Sequence, residues 1–155
     1  MRFLVVSDTH GDTLKLKKAL EREGPLDAVI HLGDFSRDLE SVGFKGSRLS
    51  VRGNTDKDAR APLERLVELG GRRVWMVHGH QYGVKGHLDR LVYRALELQA
   101  DIALFGHTHQ VLVAREENLT VFNPGSLSLP RDHVLGSYGI LEIEGDCVQT
   151  KIFRI

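Results

Sequence analysis

The chain has 155 residues, of which 41% are hydrophobic and 27% charged, and we predict a single globular domain over residues 1–155. Lys and Arg number 21, as do Asp and Glu, and this balance argues against broad electrostatic binding to nucleic acid or to a membrane surface. The single cysteine, Cys147, excludes an intrachain disulfide and a cysteine-based zinc site. Because no apolar run could span a membrane or form the core of a signal peptide, we expect a soluble cytoplasmic protein.

In chain order, the hydrophobic pattern first alternates strand and helix and then ends in hairpins. A buried strand at residues 3–7 precedes a helix that begins at Asp12 or Thr13 and ends at Gly24-Pro25. The clearest helix is predicted at residues 87–99, where apolar side chains recur at helical spacing. The other predicted strands span residues 28–32, 48–51, 63–69, 72–77, 102–105, 111–115, 119–122, 138–144 and 148–155. Residues 63–69 are also compatible with a helical turn, and residues 38–46 have no clear pattern. This order predicts an α/β (mixed α+β) fold in which two mixed sheets pack together with helices outside.

Polar side chains stand at the carboxyl ends of five predicted strands. The five segments are Ser7-Asp8-Thr9-His10, Gly33-Asp34, Gly53-Asn54-Thr55-Asp56, His78-Gly79-His80 and Gly106-His107-Thr108-His109. Because ligands of α/β proteins bind outside the carboxyl ends of the strands, we expect these segments to meet at one rim. Asp8 and His10 are two residues apart on a segment that we expect to be extended, so they should point the same way, and His107 and His109 have the same relation.

The side chains of these segments form a set that suits transition metals. Its members are Asp8, His10, Asp34, Asn54, His78, His107 and His109. Nitrogen and oxygen ligands without sulfur suit Mn, Fe, Co, Ni or Zn, and the imidazoles make Mg a poorer match. Seven ligands are too many for one ion but fit two ions that share a carboxylate. Two such ions can clamp the attacking and leaving oxygens of a displacement at phosphorus.

These segments, in this order and followed by Asn123-Pro124-Gly125-Ser126, resemble the calcineurin-like metallophosphoesterase superfamily. The resemblance is greatest to its small single-domain bacterial and archaeal phosphodiesterases, and it covers nearly the whole chain. It implies a four-layer α/β/β/α sandwich that hydrolyses a small phosphate ester by attack of a metal-bound hydroxide, with manganese as the expected metal. It implies one ion held by Asp8, His10, Asp34 and His109, and a second held by Asp34, Asn54, His78 and His107, so that Asp34 bridges them.

The substrate side of the site is less defined. The resemblance implies that Asn54 also touches the phosphoryl oxygen and that Arg131 faces the substrate. Many members of the superfamily have a histidine where this chain has Thr55, and that histidine is thought to protonate the leaving group. A threonine hydroxyl cannot act as a general acid near neutral pH. His80 is the candidate replacement, and His133 is a second histidine that could lie near the substrate.

Other functions fit parts of the same pattern. A non-catalytic scaffold of this fold is the main alternative, because a eukaryotic membrane-trafficking subunit shares the fold but has a degraded metal site. The filled set of seven ligand positions favours an enzyme. A repair nuclease fits less well, since such chains are longer and carry the histidine that Thr55 replaces. Both a monomer and a homo-oligomer are compatible with the sequence.

Overall fold

The computed structural model describes residues 1–57 and 60–155. The strands are β1 (Arg2–Val6), β2 (Ala28–His31), β3 (Ser47–Ser50), β4 (Glu64–Leu69), β5 (Arg72–Val77), β6 (Ile102–Leu104), β7 (Val111–Glu116), β8 (Leu119–Pro124), β9 (Ser137–Glu144) and β10 (Cys147–Arg154). The helices are α1 (Thr13–Glu23), α2 (Asp38–Ser41) and α3 (Asp89–Glu97), and a 3₁₀ turn covers His80–Tyr82. None of the helices in the described residues is both long and apolar enough to cross a membrane.

The strands form two mixed five-stranded sheets, in the orders β10-β9-β1-β2-β3 and β4-β5-β6-β8-β7. The two sheets pack face to face through an apolar layer that contains Val5 and Met76. Helices α1 and α2 cover the outer face of the first sheet, where Leu16 is fully buried. Helix α3 covers the outer face of the second sheet through Leu91. The predicted four-layer α/β/β/α sandwich is therefore confirmed.

The local pattern explains why the central strands are buried on both faces. Residues Phe3 and Val5 face the layer between the sheets, while Leu4 and Val6 face α1, and all four are fully buried. A strand with both faces covered needs a continuous apolar run rather than alternation. Helix α1 begins where the Asp12 side chain accepts a hydrogen bond from the Lys15 N–H, which is one of the two predicted caps.

The predicted bounds agree with the structure to within two residues, and residues 63–69 form a strand rather than a helical turn. The predicted helix at residues 87–99 is shorter, because a turn in which the His87 N–H donates to the Gly83 carbonyl precedes it. At its other end, Gln99 adopts a φ of 51°, which a helix cannot continue through. The unassigned stretch at 38–46 contains the short helix α2.

Strand direction determines where the site forms. Strands β1, β2 and β3 run parallel in the first sheet, and β5 and β6 run parallel in the second. The five polar segments therefore leave five parallel-running strands at their carboxyl ends. We call the surface formed by Asp8, Asp34, Asn54, His78 and His107 the carboxyl rim.

Candidate metal centre

Asp8 lies at the middle of the carboxyl rim and is fully buried. Its Oδ2 accepts hydrogen bonds from the Ser7 hydroxyl at 2.6 Å and from the His107 N–H at 3.1 Å. Its Oδ1 has no hydrogen bond of acceptable geometry to any described residue. Burial raises the pKa of Asp8, but the contact with His109 and the charge of His78 outweigh it, so the pKa lies below its usual value. The carboxylate is therefore charged, and its Oδ1 faces the candidate ligands.

The backbone of five of the predicted ligands is left-handed. The φ values are 53° at Asp8, 44° at His10, 58° at Asp34, 68° at His107 and 60° at His109. The expectation that extended segments align Asp8 with His10, and His107 with His109, is therefore wrong. Sharp turns bring these side chains together instead. Left-handed conformations cost free energy for residues other than glycine and cluster at functional sites.

Asp34 lies between two groups of histidines. Its Oδ2 is 3.8 Å from His10 Nε2, and its Oδ1 is 3.4 Å from His78 Nε2. The Thr55 N–H donates to the same Oδ1 at 3.0 Å. The close approach of the two loops requires glycine at position 53, because a Cβ there would overlap the Asp34 carboxylate and backbone. The two oxygens of Asp34 thus face opposite halves of the site.

The tautomer of His78 is determined by its surroundings. Its Nδ1 lies 2.7 Å from the Leu32 carbonyl oxygen, and because a carbonyl only accepts, Nδ1 carries the proton. In the neutral ring, Nε2 then presents a lone pair to Asn54 Oδ1 at 3.2 Å and to Asp34 Oδ1 at 3.4 Å. His107 Nδ1 is a further 3.2 Å neighbour of the same Nε2. A cation between these atoms would satisfy their lone pairs together.

The other half of the site repeats this arrangement. His109 Nδ1 donates to the Leu129 carbonyl at 2.7 Å, which directs Nε2 toward Asp8 Oδ1 at 3.0 Å. This contact with Asp8 raises the pKa of His109 above its usual value. His10 Nε2 is buried and has no hydrogen-bond partner among the described residues. Ligand atoms of Asp8, His10, Asp34 and His109 all lie within 4.8 Å of one another.

The residues present therefore fit a metal centre on the chemistry of their donor atoms. Two buried ligand atoms, Asp8 Oδ1 and His10 Nε2, lack hydrogen bonds from the described residues. Two imidazoles have their protons held on Nδ1 by backbone carbonyls, which leaves Nε2 for a metal. Buried polar groups without partners are costly, and a divalent cation would satisfy them together.

The residues predicted on the substrate side lie around this cluster. The His80 ring is 5.5 Å from the His78 ring and 6.1 Å from the His107 ring, and burial, then the charge of His78, lower its pKa. Thr55 is exposed beside Asp34. Arg131 is exposed and its N–H donates to the His109 carbonyl at 2.9 Å.

The other histidines are not part of the cluster. His133 is exposed, and its Nδ1 accepts from the Leu135 N–H at 2.9 Å. His31, the last residue of β2, is a buried core histidine, since its Nδ1 accepts from the Gly33 N–H at 3.1 Å and its Nε2 lies 3.0 Å from the Thr9 hydroxyl.

Sequence reasoning missed the residues that hold the ligands in place. Asp56 accepts three backbone hydrogen bonds, from the N–H groups of Asp34 at 2.9 Å, Gly53 at 2.8 Å and Ser36 at 3.0 Å. The hydroxyls of Ser126 and Ser128 donate to the Asp8 carbonyl at 2.9 and 3.0 Å. Asp38 Oδ2 accepts from the Thr9 hydroxyl at 2.6 Å and from the Gly11 N–H at 2.8 Å. Acidic and hydroxyl residues close in sequence to the candidate ligands could have indicated these supporting hydrogen bonds.

Asp56→Asn tests this support without removing any candidate ligand. We expect the affinity for a divalent cation to fall by about 10–100-fold, as is typical when an outer partner of a metal ligand is changed. We also expect the free energy of unfolding to fall by about 1–3 kcal/mol, because one amide NH₂ would face a backbone donor. Asp89→Asn, at an exposed position in the first turn of α3, is the control. Unchanged cation affinity of Asp56→Asn would contradict a positioning role.

The fold and the donor set together define a protein with a buried candidate centre for divalent metal. The model of the calcineurin-like phosphoesterase superfamily domain matches residues 1–146, and the chain belongs to this family. A curated relative, described as probable metallophosphoesterase YsnB of Bacillus subtilis, is 35% identical over 99% of this chain and 90% of its own length.

Three solved structures have a similar fold. A Streptococcus pneumoniae protein described as a predicted phosphoesterase has a TM-score of 0.84 at 31% identity, over 99% of this chain and 88% of its own. An archaeal phosphodiesterase has a TM-score of 0.81 at 22% identity, over 99% of this chain and all (100%) of its own. Vps29 of Entamoeba histolytica, in complex with Zn²⁺, has a TM-score of 0.75 at 20% identity, over 99% of both chains. The last two likenesses show the fold alone.

Proposed function

We propose that this protein is a phosphodiesterase that uses two divalent ions, with manganese as the first candidate, to hydrolyse a small phosphate ester. The observation that carries the proposal is the convergence of unprotonated ligand atoms on two buried carboxylates, Asp8 and Asp34, from both sheets. Two carboxylates neutralise only half the charge of two divalent ions. The remaining charge suits an anionic substrate.

Each half of the site would hold one ion. Asp8, His10, Asp34 and His109 would hold the first, and Asp34, Asn54, His78 and His107 the second. Asp34 would bridge them, because its two oxygens face His10 and His78 respectively. Bound ions would supply a water of lowered pKa and neutralise charge on the phosphate group.

The chain's own residues would orient the ester. Asn54 Oδ1 is directed toward His78, so its amide N–H groups can donate to a phosphoryl oxygen. Arg131 adjoins the site, because its backbone N–H donates to the His109 carbonyl at 2.9 Å, and a guanidinium can donate two parallel hydrogen bonds to a phosphate. His80 is the one imidazole beside the cluster that is not assigned to a metal. It is therefore our candidate proton donor.

Turnover and metal content, measured on the same sample, test the proposal. We expect the manganese-loaded protein to hydrolyse bis(4-nitrophenyl) phosphate faster than 4-nitrophenyl phosphate. We expect His78→Ala to abolish this activity and His87→Ala, at an exposed position before α3, to retain it. A protein that contains two ions per chain but turns over neither ester would contradict the proposal.

A non-catalytic metal-binding scaffold is the second candidate, and the likeness of the fold to Vps29 favours it. The two candidates share the metal site and differ in turnover. The scaffold would hold metal without hydrolysing either ester, and His78→Ala would then affect stability alone.

Removing the metal should destabilise the fold, because the ligands leave five strands and only the folded chain brings them together. A ligand at about 100 times its Kd contributes about 2.7 kcal/mol, which corresponds to a fall in Tm of roughly 5–10 °C per site for a chain of this size. Differential scanning calorimetry before and after chelation measures the effect. A chelated protein with the same Tm would contradict a site inside the fold.

The metal-free protein should also lose stability as the pH falls. Burial lowers the pKa of both His31 and His107 from 6.5 to about 4. Between these values the unfolded chain binds more protons than the folded chain, so stability decreases as the pH falls from 6.5 toward 4. His109, whose pKa is raised, opposes this trend. We therefore expect a lower Tm at pH 5 than at pH 7 after chelation.

A further inference from the structure

Phe35 is the one aromatic side chain that reaches the surface beside the metal ligands in the described part of the chain. It follows Asp34 directly, its φ is 66°, and it is 42% exposed. Its ring centroid lies 5.4 Å from that of His10. It belongs to none of the three apolar clusters that form the core of the described residues. Core packing therefore does not explain why a phenyl ring occupies this position.

The surroundings hold the backbone at Phe35. The Phe35 carbonyl accepts a hydrogen bond from the Asp38 N–H at 2.9 Å. A left-handed conformation is costly for a bulky residue and persists only when its surroundings impose it. The ring is thus an exposed aromatic surface at the edge of the candidate metal centre.

A cavity of about 470 Å³ opens beside this ring. It is lined by Phe35, Arg37, Asp38, Glu40, Ser41, Thr55, Asp56 and Lys57. It adjoins the metal ligands on two sides, because Phe35 follows Asp34 and the Thr55 N–H donates to Asp34 Oδ1. Its volume lies in the range of small-molecule sites, about 300–1,000 Å³.

The three carboxylates of the cavity already have partners in the protein. Asp38 accepts from Thr9 and Gly11, and Asp56 accepts from three backbone N–H groups. Glu40 forms ion pairs with Arg37 at 3.9 Å and Arg60 at 3.5 Å.

The cavity is also lined by one aromatic ring, two hydroxyls and one ammonium group. They are the Phe35 ring, the Thr55 and Ser41 hydroxyls and the Lys57 ammonium group, none of which pairs with a described carboxylate. Such a cavity offers one aromatic face, two neutral hydroxyl groups and, in addition to Arg37, one ammonium group.

We propose that the Phe35 cavity binds the nucleoside part of a phosphate-ester substrate, with the base stacked on the Phe35 ring. A nucleotide carries a flat aromatic base and a hydroxyl-bearing sugar next to its phosphate, which matches an aromatic ring and neutral hydroxyls next to a phosphate centre. Base–aromatic stacking tolerates every base, because each has a π-face. The proposal rests on the proposed function for the placement of the phosphate group.

Equilibrium binding to the manganese-loaded protein tests the proposal without turnover. The two probes are adenosine 5′-monophosphate and ribose 5-phosphate, which differ only in the base, and isothermal titration calorimetry gives both Kd values. We expect the nucleotide to bind more tightly. Phe35→Ala should weaken nucleotide binding by about 5–150-fold and change ribose 5-phosphate binding by less than about twofold. Phe35→Tyr should restore most of the difference in affinity between the two probes.

Tyr93→Ala is the matched control, since Tyr93 is an aromatic residue 67% exposed on α3 and should leave both affinities unchanged. Equal affinity of the wild-type protein for the two probes would overturn the proposal. An equal loss of both affinities in Phe35→Ala would also overturn it, because Phe35 would then act through His10. Base-dependent binding without hydrolysis of any ester would keep this inference and reject the proposed phosphodiesterase. Hydrolysis of an ester without base-dependent binding would keep the proposed phosphodiesterase and reject this inference.

Discussion

Asp34→Asn should remove both ions and lower kcat/KM by more than about 100-fold, which exceeds the range for residues that only support a ligand. Asp34 is the residue whose two oxygens face the two histidine groups, at 3.8 Å from His10 and 3.4 Å from His78. The amide nitrogen of Asn cannot ligate a cation, and the lost charge weakens the attraction of both halves for metal. Elemental analysis and steady-state kinetics on the same preparation measure both effects.

The stability of the variant separates lost ligation from misfolding. Asp8 and Asp34 are both buried, so removing one charge should leave the Tm of the metal-free protein unchanged or raise it. Asp12→Asn is the matched control, because Asp12 caps α1 and Asn is an equally good cap. An Asp34→Asn protein that still holds two ions per chain would exclude the bridging role, as would a saturated wild-type protein with only one.

The second large effect concerns the leaving group. With Thr55 in the place of a histidine, we expect rates to depend steeply on the pKa of the departing alcohol. A positioned general acid contributes about 10²–10⁴-fold, and alkyl phosphodiesters should be slower than aryl phosphodiesters by at least this factor. Rates for a series of 4-nitrophenyl, phenyl and alkyl diesters measure the dependence.

His80 provides the rival explanation, in which the chain keeps a general acid from another strand. Its ring lies 5.5 Å from that of His78, and one of its nitrogens, Nδ1, is buried without a hydrogen bond from the described residues. If His80 is the acid, His80→Ala should slow the alkyl esters selectively and remove the alkaline limb of the pH–rate profile. If no general acid replaces the histidine that is missing at Thr55, His80→Ala should change the rates for aryl and alkyl esters equally.

The sequence predicted the fold well because the strands are buried on both faces. A continuous apolar run such as residues 3–7, when a helix comes after it, indicates a strand buried on both faces. The first polar residue then marks the end of the strand. The same rule predicted that the seven candidate ligands lie at one rim, since parallel strands deliver their carboxyl ends together. Strand bounds shifted by one or two residues do not alter this.

The turns that complete the site could not be predicted in the same way. The spacing of Asp8 and His10 is compatible with an extended segment and with two left-handed residues, and only packing decides between them. The three hydrogen bonds of Asp56 depend on loops that follow β2 and β3, so no local pattern contains them. Long-range contacts of this kind are set by the assembled sheets.

The left-handed ligands have a consequence for how such a chain could change over generations. Glycine and asparagine adopt positive φ more easily than aspartate or histidine, so replacing the ligand at positions such as Asp34 or His109 with either residue would relieve backbone strain. In the metal-free protein, the substitutions that abolish the centre would therefore stabilise the fold, whereas in the metal-bound protein they would also remove the stability that bound metal contributes. Retention of the strained candidate ligands thus depends on metal being bound.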